Sequence, residues 1–144
     1  MGGIKQNLFF MDVPCILARS DVIIKPMETK IIKVNAELAD RGAIRLAGDI
    51  LRSGGLAAFP TETVYGLGAN ALDKDASKRT YAAKGRPSDN PLIVHIARLE
   101  DLQAITKNIP EAAMKIAEKF WPGPLTMIFE KSDRVPLETT GGLD

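Results

Sequence analysis

The stretch from Gly54 to Ala97 constrains this chain most, because it sets polar side chains around two short apolar segments. The first segment, Leu56–Phe59, has the length of a strand that is covered on both faces, and it stops at Pro60. The second segment, Leu92–Ile96, is apolar except for His95. Threonine, tyrosine, lysine and arginine side chains come between the two segments. The sequence therefore predicts a scaffold that binds small anions and polar ligands.

Strand-like and helix-like patterns alternate along the whole chain, which is typical of an α/β or α+β fold. Apolar residues spaced by three and four predict a helix after Asp40 that ends at the Ser53–Gly55 break. Two further helices are predicted, one from Asp73 or Asp75 to Gly85 and one beginning at Pro110. Strands are predicted at Thr29–Val34, Leu56–Phe59, Leu92–Ile96 and Leu125–Phe129.

Composition narrows the possible functions. A chain of 144 residues fits one domain, and 45% hydrophobic with 26% charged residues is the profile of an ordinary globular protein. With a net charge of +1 the chain has no overall field that attracts nucleic acid or a membrane, so an anion site has to be a local cluster. The single cysteine, Cys15, excludes an intrachain disulfide and suits a reducing compartment. No apolar run approaches the ~20 residues of a membrane helix, and we expect a cytoplasmic protein.

Polar residues follow the first buried strand directly. Beyond Pro60, Thr61 and Thr63 offer hydroxyl groups and Tyr65 offers a flat ring with a polar tip. Ligands of open α/β sheets bind beyond the carboxyl ends of strands, and this set suits an amino acid or a ribose. Alternatively, one of the threonines is the N-cap of a short helix. The run Gly66–Ala71 also resembles a dinucleotide fingerprint, but it does not follow a tight strand-to-helix turn, so that match is weak.

A basic cluster closes the second predicted helix. It consists of Lys78, Arg79, Lys84 and Arg86, and Ser88 and Asn90 follow it. Lysine supplies a compact charge and arginine a rigid fork, and together they suit the oxygens of a polyphosphate. The intervening Gly85 lets the backbone come close to a ligand. The alternative is a solvated helix end at which Lys84 complements the helix dipole.

The only histidine, His95, lies inside an apolar strand-like segment. It is either a buried neutral side chain bonded to the backbone or a group that points into a pocket and binds a carboxylate or hydroxyl. Side chains alone are not expected to bind a metal, since no second histidine exists. If a metal takes part, Mg²⁺ held mainly by phosphate oxygens is the expectation.

Taken together, these motifs resemble the YrdC-like family of L-threonylcarbamoyladenylate synthases. The resemblance rests on Phe59 to Ala71 (FPTETVYGLGANA), on Lys84 to His95 (KGRPSDNPLIVH) and on Trp121 to Thr126 (WPGPLT). It covers roughly residues 30–144. It implies a twisted, mostly mixed sheet with helices around a positively lined concavity.

The resemblance also implies a reaction. L-threonine, bicarbonate and ATP would give threonylcarbamoyl-adenylate and pyrophosphate, and partner proteins would pass the threonylcarbamoyl group to tRNA, with possible direct tRNA contact. The family's basic pair corresponds to Lys84 and Arg86, which are therefore expected to be catalytic and to bind the nucleotide together with Asn90. The expected threonine-binding residues are Thr61, Thr63, Tyr65 and His95.

One family motif is missing from the chain. The family carries Ser-x-Asn downstream of the tryptophan motif, and this sequence contains none after Thr126. We therefore expect an incomplete YrdC-like domain over residues 28–144. Residues 1–27, which the resemblance does not cover, are expected to be an N-terminal extension. An alternative function is a non-catalytic RNA-binding or ribosome-associated module that uses phosphate contacts. The near-neutral charge argues against it.

Overall fold

The computed structural model of the chain describes residues 5–11, 29–35, 41–61 and 64–144. The strands are β1 (Lys5–Met11), β2 (Thr29–Asn35), β3 (Leu56–Pro60) and β4 (Tyr65–Gly68). The helices are α1 (Arg41–Arg52), α2 (Lys74–Lys84), α3 (Leu102–Ile105) and α4 (Glu111–Phe120), and a single 3₁₀ turn, Leu99–Asp101, precedes α3. The residues divide into two compact units, Met1–Asn70 with Asp75–Arg86 and Ala71–Lys74 with Pro87–Asp144.

The first unit contains a sheet of four strands in the order β2-β1-β3-β4. Every described pairing is antiparallel, and β3 and β4 form a hairpin in which Phe59 lies opposite Gly66 and Pro60 opposite Tyr65. The stretch expected to be an N-terminal extension contributes β1, which pairs with both β2 and β3. Sheet and helices together confirm the predicted α/β class.

The core of the first unit forms where α1 covers the sheet. Ala57 is buried, and Ile32 from β2, Ala47, Ile50 and Leu51 from α1, and Phe59 from β3 pack against it. Leu56 is fully buried as well, as the continuous apolar run predicts. The apolar spacing that predicts α1 also marks its inner face, because Ala43 is buried and Ala47, Ile50 and Leu51 are half-buried. Ile44 is the exception, because 59% of it remains exposed.

Both long helices of the first unit end as the sequence predicts, on a glycine with a positive φ angle. Gly54 has a φ of 86° and follows α1, and Gly85 has a φ of 58° and follows α2. After α1, the amide of Gly54 bonds the Leu51 carbonyl and the amide of Gly55 bonds the Ile50 carbonyl, at 3.1 and 2.8 Å. This pair of bonds is the Schellman motif, in which glycine avoids the strain that a Cβ would cause.

The second unit is built from α3, α4 and the chain segments around them. Thr106 and Lys131 form an isolated antiparallel bridge, which the amide of Lys107 extends by bonding the Glu130 carbonyl at 3.0 Å. The buried residues of this unit are Leu102, Thr106, Ala117, Val135 and Thr139. The predicted helix from Pro110 is confirmed as α4, whose N-cap is Pro110.

Two predicted strands are wrong. Residues 92–96 and 125–129 have no strand assignment, although side-chain exposure alternates along residues 92–96 and 127–130 as it does in a strand. A strand needs a neighbour for its backbone hydrogen bonds as well as an apolar pattern, and neither segment has a paired strand within the described residues. The predictions that concern Cys15, Asp40 and Thr63 fall outside the described residues.

Candidate functional site

Thr61 closes the turn of the β3–β4 hairpin. Its amide bonds the Val64 carbonyl at 3.1 Å, and its hydroxyl accepts the Val64 amide at 3.2 Å and donates to the Val64 carbonyl. The alternative in which a threonine hydroxyl satisfies local backbone groups is therefore realised at Thr61, in a hairpin turn rather than at a helix N-terminus. Tyr65 begins β4 on the other side of the turn, with half of its surface exposed. Thr63, between them, lies outside the described residues.

The glycines of β4 make room for an aromatic ring. A Cβ on Gly66 would lie 3.1 Å from Phe59 Cε2, and a Cβ on Gly68 would lie 2.9 Å from Phe59 Cε1. Neither glycine has a positive φ angle. These residues are glycines because the Phe59 ring lies against the strand, and the resemblance to a dinucleotide fingerprint is accidental. The packing also fixes the strand that carries Tyr65.

The predicted basic cluster divides into two pairs. Arg79 donates to the Gly54 carbonyl through both Nε and Nη2, at 3.0 and 2.6 Å, and Lys78 lies 3.9 Å from Asp75. Arg79 therefore holds the end of α1 against α2 within the first unit. The Arg79 guanidinium, which donates two hydrogen bonds to the Gly54 carbonyl, therefore has a structural role.

Lys84 and Arg86 form the other pair, on either side of the glycine that ends α2. The amide of Gly85 bonds the Ala82 carbonyl at 3.2 Å, and the amide of Arg86 bonds the Tyr81 carbonyl at 3.1 Å. Tyr81 is buried, so this second Schellman motif anchors the turn to the core. Lys84 is exposed and Arg86 half-buried. Within the described part of the chain, neither side chain forms an ion pair with an acidic residue.

Asn90 and His95 belong to the second unit. Asn90 is exposed at the start of an extended segment in which Leu92, Val94 and Ile96 are half-buried while Ile93 and His95 are exposed. The alternative of a buried neutral histidine is therefore wrong, and the imidazole is open to solvent. The structure places Thr61, Tyr65, Lys84 and Arg86 in the first unit and the other two predicted site residues in the second.

Two residues that the sequence analysis did not single out fix this extended segment. The amide of Leu92 bonds the Thr139 carbonyl at 2.9 Å, and the Thr139 hydroxyl donates to the Ala71 carbonyl at 2.8 Å. Gly141 has a φ of 66°, and a Cβ there would lie 3.0 Å from the Asp89 carbonyl oxygen. The paired glycines near the C-terminus are the sequence signal for this turn, whereas nothing in the local sequence indicates that Thr139 is buried.

The tryptophan motif forms a closed corner. The Trp121 indole Nε1 donates to the Leu125 carbonyl at 2.7 Å, and the Trp121–Pro122 peptide is cis. A Cβ on Gly123 would come within 2.5 Å of the Phe120 carbonyl oxygen, so only glycine fits at that position. The corner thus fixes the direction in which the chain leaves α4.

Shifted pKa values occur away from these residues, on the surface of the second unit. The hydrogen bond between Arg98 and Asp101, at 2.8 Å, lowers the pKa of the Asp101 carboxyl and raises the pKa of Arg98. The hydrogen bond from Lys107 to Glu130, at 2.7 Å, raises the pKa of Lys107. Both are exposed ion pairs, and pairs of this kind contribute little to the stability of a fold.

The described residues contain neither a cluster of metal-ligating side chains nor a helix that could span a membrane. In residues 5–11, 29–35, 41–61 and 64–144, no three side chains of the His, Cys, Asp or Glu type come together as metal ligands. None of the helices found in these ranges combines the length and the apolar character that a membrane crossing requires.

Comparison with known proteins gives a consistent family. A profile of the Sua5/YciO/YrdC family, described as telomere recombination, matches residues 49–144. Threonylcarbamoyl-AMP synthase of Pyrococcus abyssi (strain GE5 / Orsay) is 58% identical over 116 residues, which are 81% of this chain and 34% of that protein. The protein of the same name from Bacillus subtilis (strain 168) is 49% identical over 122 residues, 82% of this chain and 35% of that protein.

Solved structures agree with these relatives. A His/Tyr double-alanine variant of P. abyssi Sua5 matches with a TM-score of 0.72 and 58% identity, covering 75% of this chain and 33% of that chain. P. abyssi Sua5 complexed with L-threonine matches with a TM-score of 0.68 and 61% identity, covering 70% and 30%. This chain thus spans about a third of the length of the two relatives named above. The resemblance drawn from the motifs is confirmed.

Proposed function

Because this chain belongs to the Sua5/YciO/YrdC family, we propose that it is part of a threonylcarbamoyl-AMP synthase, a nucleotidyltransferase of tRNA modification. Its substrates are L-threonine, bicarbonate and ATP, and its products are threonylcarbamoyl-AMP and pyrophosphate. The support is the name shared by relatives that are 40–58% identical. The observation that carries the proposal is the acid-free pair Lys84 and Arg86, held by a glycine cap that is anchored to the core.

The basic pair has a defined task in this reaction. A carbamate oxygen of N-carboxythreonine attacks the α-phosphate of ATP, and pyrophosphate leaves. Negative charge grows on the phosphoryl oxygens as the bond to pyrophosphate lengthens, and fixed cations lower the energy of that state. Lys84 supplies a mobile ammonium and Arg86 a fork that binds two oxygens at once. The amide of Asn90 adds contacts to the nucleotide.

The threonine substrate needs positioning more than it needs acid–base catalysis. We assign its carboxylate to Thr63, Tyr65 and His95. We assign its hydroxyl to Thr61, whose own hydroxyl donates to Val64 and can still accept a hydrogen bond. Tyr65 and His95 are exposed residues whose polar groups suit this task. Holding the amino acid in one orientation converts its encounter with the phosphate into an intramolecular step. No covalent intermediate with the protein is required.

Further partners follow from the same proposal. Mg²⁺ fits the reaction through phosphate oxygens rather than through a cage of protein ligands, because hard cations of this size bind substrate phosphates with few carboxylates. Proteins that transfer the threonylcarbamoyl group to tRNA are the expected partners, with possible direct tRNA contact. The need for ATP and tRNA, together with a single cysteine, supports a cytoplasmic location.

Pyrophosphate release from ATP tests the proposal. It is measured with and without L-threonine and bicarbonate, for this chain and for a version extended to the length of the relatives. We expect release to require both cosubstrates and to fall on the order of 100-fold in Lys84→Ala, as when a preorganised charge is removed from a reacting phosphate. Lys115→Ala is the matched control, since it removes an exposed lysine of α4 that pairs with Glu111.

The outcomes separate the alternatives. Activity in the extended chain alone would show that residues absent from this sequence complete the site. Cosubstrate-independent release, or equal losses in Lys84→Ala and Lys115→Ala, would refute the roles given to the basic pair. Tight RNA binding that weakens steeply with salt, without any pyrophosphate release, would favour the RNA-binding module instead.

A further inference from the structure

Thr139 is the most buried polar residue near the predicted ligand residues of the second unit. Only 1% of its surface is exposed. Its hydroxyl donates to the carbonyl of Ala71, which is 68 positions away in the sequence, at 2.8 Å. Burying a threonine hydroxyl lowers the stability of a fold unless the hydroxyl forms a hydrogen bond, because the group has lost its bonds to water. The bond to Ala71 supplies that partner.

The backbone of the same residue holds the segment that carries Asn90. The Thr139 carbonyl accepts the amide of Leu92 at 2.9 Å. One turn further on, Gly141 lies so close that a Cβ would come 3.0 Å from the Asp89 oxygen and 3.2 Å from the Pro91 nitrogen. The backbone on both sides of Asn90 is therefore in contact with residues 139–141.

We propose that Thr139 is a positioning residue for Asn90. The Thr139 hydroxyl holds the turn of residues 139–141 against Ala71. That turn then fixes the backbone from Asp89 to Leu92. The side chain that the proposed function assigns to the nucleotide is thereby presented in one orientation. This inference rests on the proposed function only for the identity of the ligand, ATP.

Three variants of this chain test the inference. Thr139→Val removes the hydroxyl at nearly constant shape, and Thr139→Ser restores it. Thr140→Val is the matched control, because the Thr140 hydroxyl bonds only the carbonyls of Leu137 and Leu143, three residues away on either side. One readout is the hydrogen-exchange protection of the Leu92 amide, and the other is the dissociation constant for ATP.

We expect Thr139→Val to lose most of the protection at Leu92 and to bind ATP about tenfold more weakly, as for one lost hydrogen bond to a buried acceptor. Thr139→Ser should restore both readouts to within about twofold, because it keeps the donor. Thr140→Val should change neither. A purely structural role would lower stability without the parallel change in ATP affinity and its rescue by serine.

Other results would overturn the inference. ATP affinity unchanged in Thr139→Val would do so, and so would weakened affinity with the Leu92 amide still protected. If Thr139→Val does not fold, Gly141→Ala carries the test, since its Cβ pushes on the same segment while the hydroxyl bond stays. If neither the wild-type chain nor its extended version binds ATP, the proposed function fails on that result, and the loss of Leu92 protection in Thr139→Val with its rescue by serine decides the positioning role alone.

Discussion

The contact between Phe59 and the glycines of β4 gives a quantitative prediction for Gly68→Ala. The new Cβ would lie 2.9 Å from Phe59 Cε1, closer than carbon atoms normally approach. Overpacking of this kind costs about 1–3 kcal/mol. Alanine recovers about 0.5–1 kcal/mol because it loses less backbone entropy than glycine on folding. We therefore expect the free energy of unfolding to fall by about 1 kcal/mol or more.

Gly48→Ala is the matched control, with the opposite sign. Gly48 lies within α1, and a Cβ there meets only Arg52 side-chain atoms, at 3.5 Å or more. A glycine-to-alanine substitution in a helix interior that causes no clash raises the free energy of unfolding by about 0.5–1 kcal/mol. The two variants should thus differ by about 2 kcal/mol, although each adds one methyl group to the first unit.

Two probes separate the units in this experiment. Hydrogen exchange of the β3–β4 backbone reports the first unit, whereas Trp121, the only tryptophan, reports the second by fluorescence. Gly68→Ala should accelerate exchange in the hairpin, and Gly48→Ala should slow exchange in α1. A double-mutant cycle with Phe59→Leu should show coupling, since a smaller side chain accommodates the new Cβ. A Gly68→Ala protein as stable as the wild type would refute the packing argument.

Two further predictions concern the other contacts of basic residues. Arg79→Lys should lower the free energy of unfolding by about 1–3 kcal/mol in denaturant titrations, because it leaves the Gly54 carbonyl without its two-pronged partner, whereas Lys78→Ala should change it by less than about 0.5 kcal/mol. The Asp101 carboxyl should titrate below its ordinary pKa of 3.8 by NMR and return towards it in Arg98→Ala. Because folding lowers this pKa, the stabilising effect of the pair is present above pH 3.8 and is lost as the pH falls through the lower, folded value; an unshifted titration would contradict the observed hydrogen bond.

Local rules account for the parts of the fold that the sequence predicts correctly. The ends of α1 and α2 follow from glycines at Gly54 and Gly85, because a positive φ angle and a Schellman motif are determined within six residues of chain. The continuous apolar run of Leu56–Phe59 predicts a buried strand for the same reason. Sequence also identifies Lys84 and Arg86 as a pair at a helix end.

Non-local contacts account for the failures. Leu92–Ile96 would be a strand only if a neighbouring strand paired with it. The sequence of those five residues does not show whether such a neighbour exists. The structural role of Arg79 depends on a carbonyl 25 positions away, and the burial of Thr139 depends on Ala71. Arg79 and Thr139 are both polar, and from the sequence alone each would be expected at the surface. The distinction between ligand-binding and structural polar residues is thus made by tertiary contacts.

The position of Lys84 and Arg86 is unusual for the anion site that we propose there, and the helix cap explains how such a site can work. Phosphates bind most readily at helix N-termini, where free amides carry positive partial charge, whereas a C-terminus carries about −0.5 of an elementary charge on its carbonyls. That end complements the two cations but repels a polyphosphate. Gly85 and Arg86 reduce the repulsion, because their amides occupy the carbonyls of Ala82 and Tyr81. The helix therefore fixes where the cations lie, and attraction for the polyphosphate in the proposed reaction has to come from their side chains, which is why an acid-free lysine–arginine pair is required at this terminus.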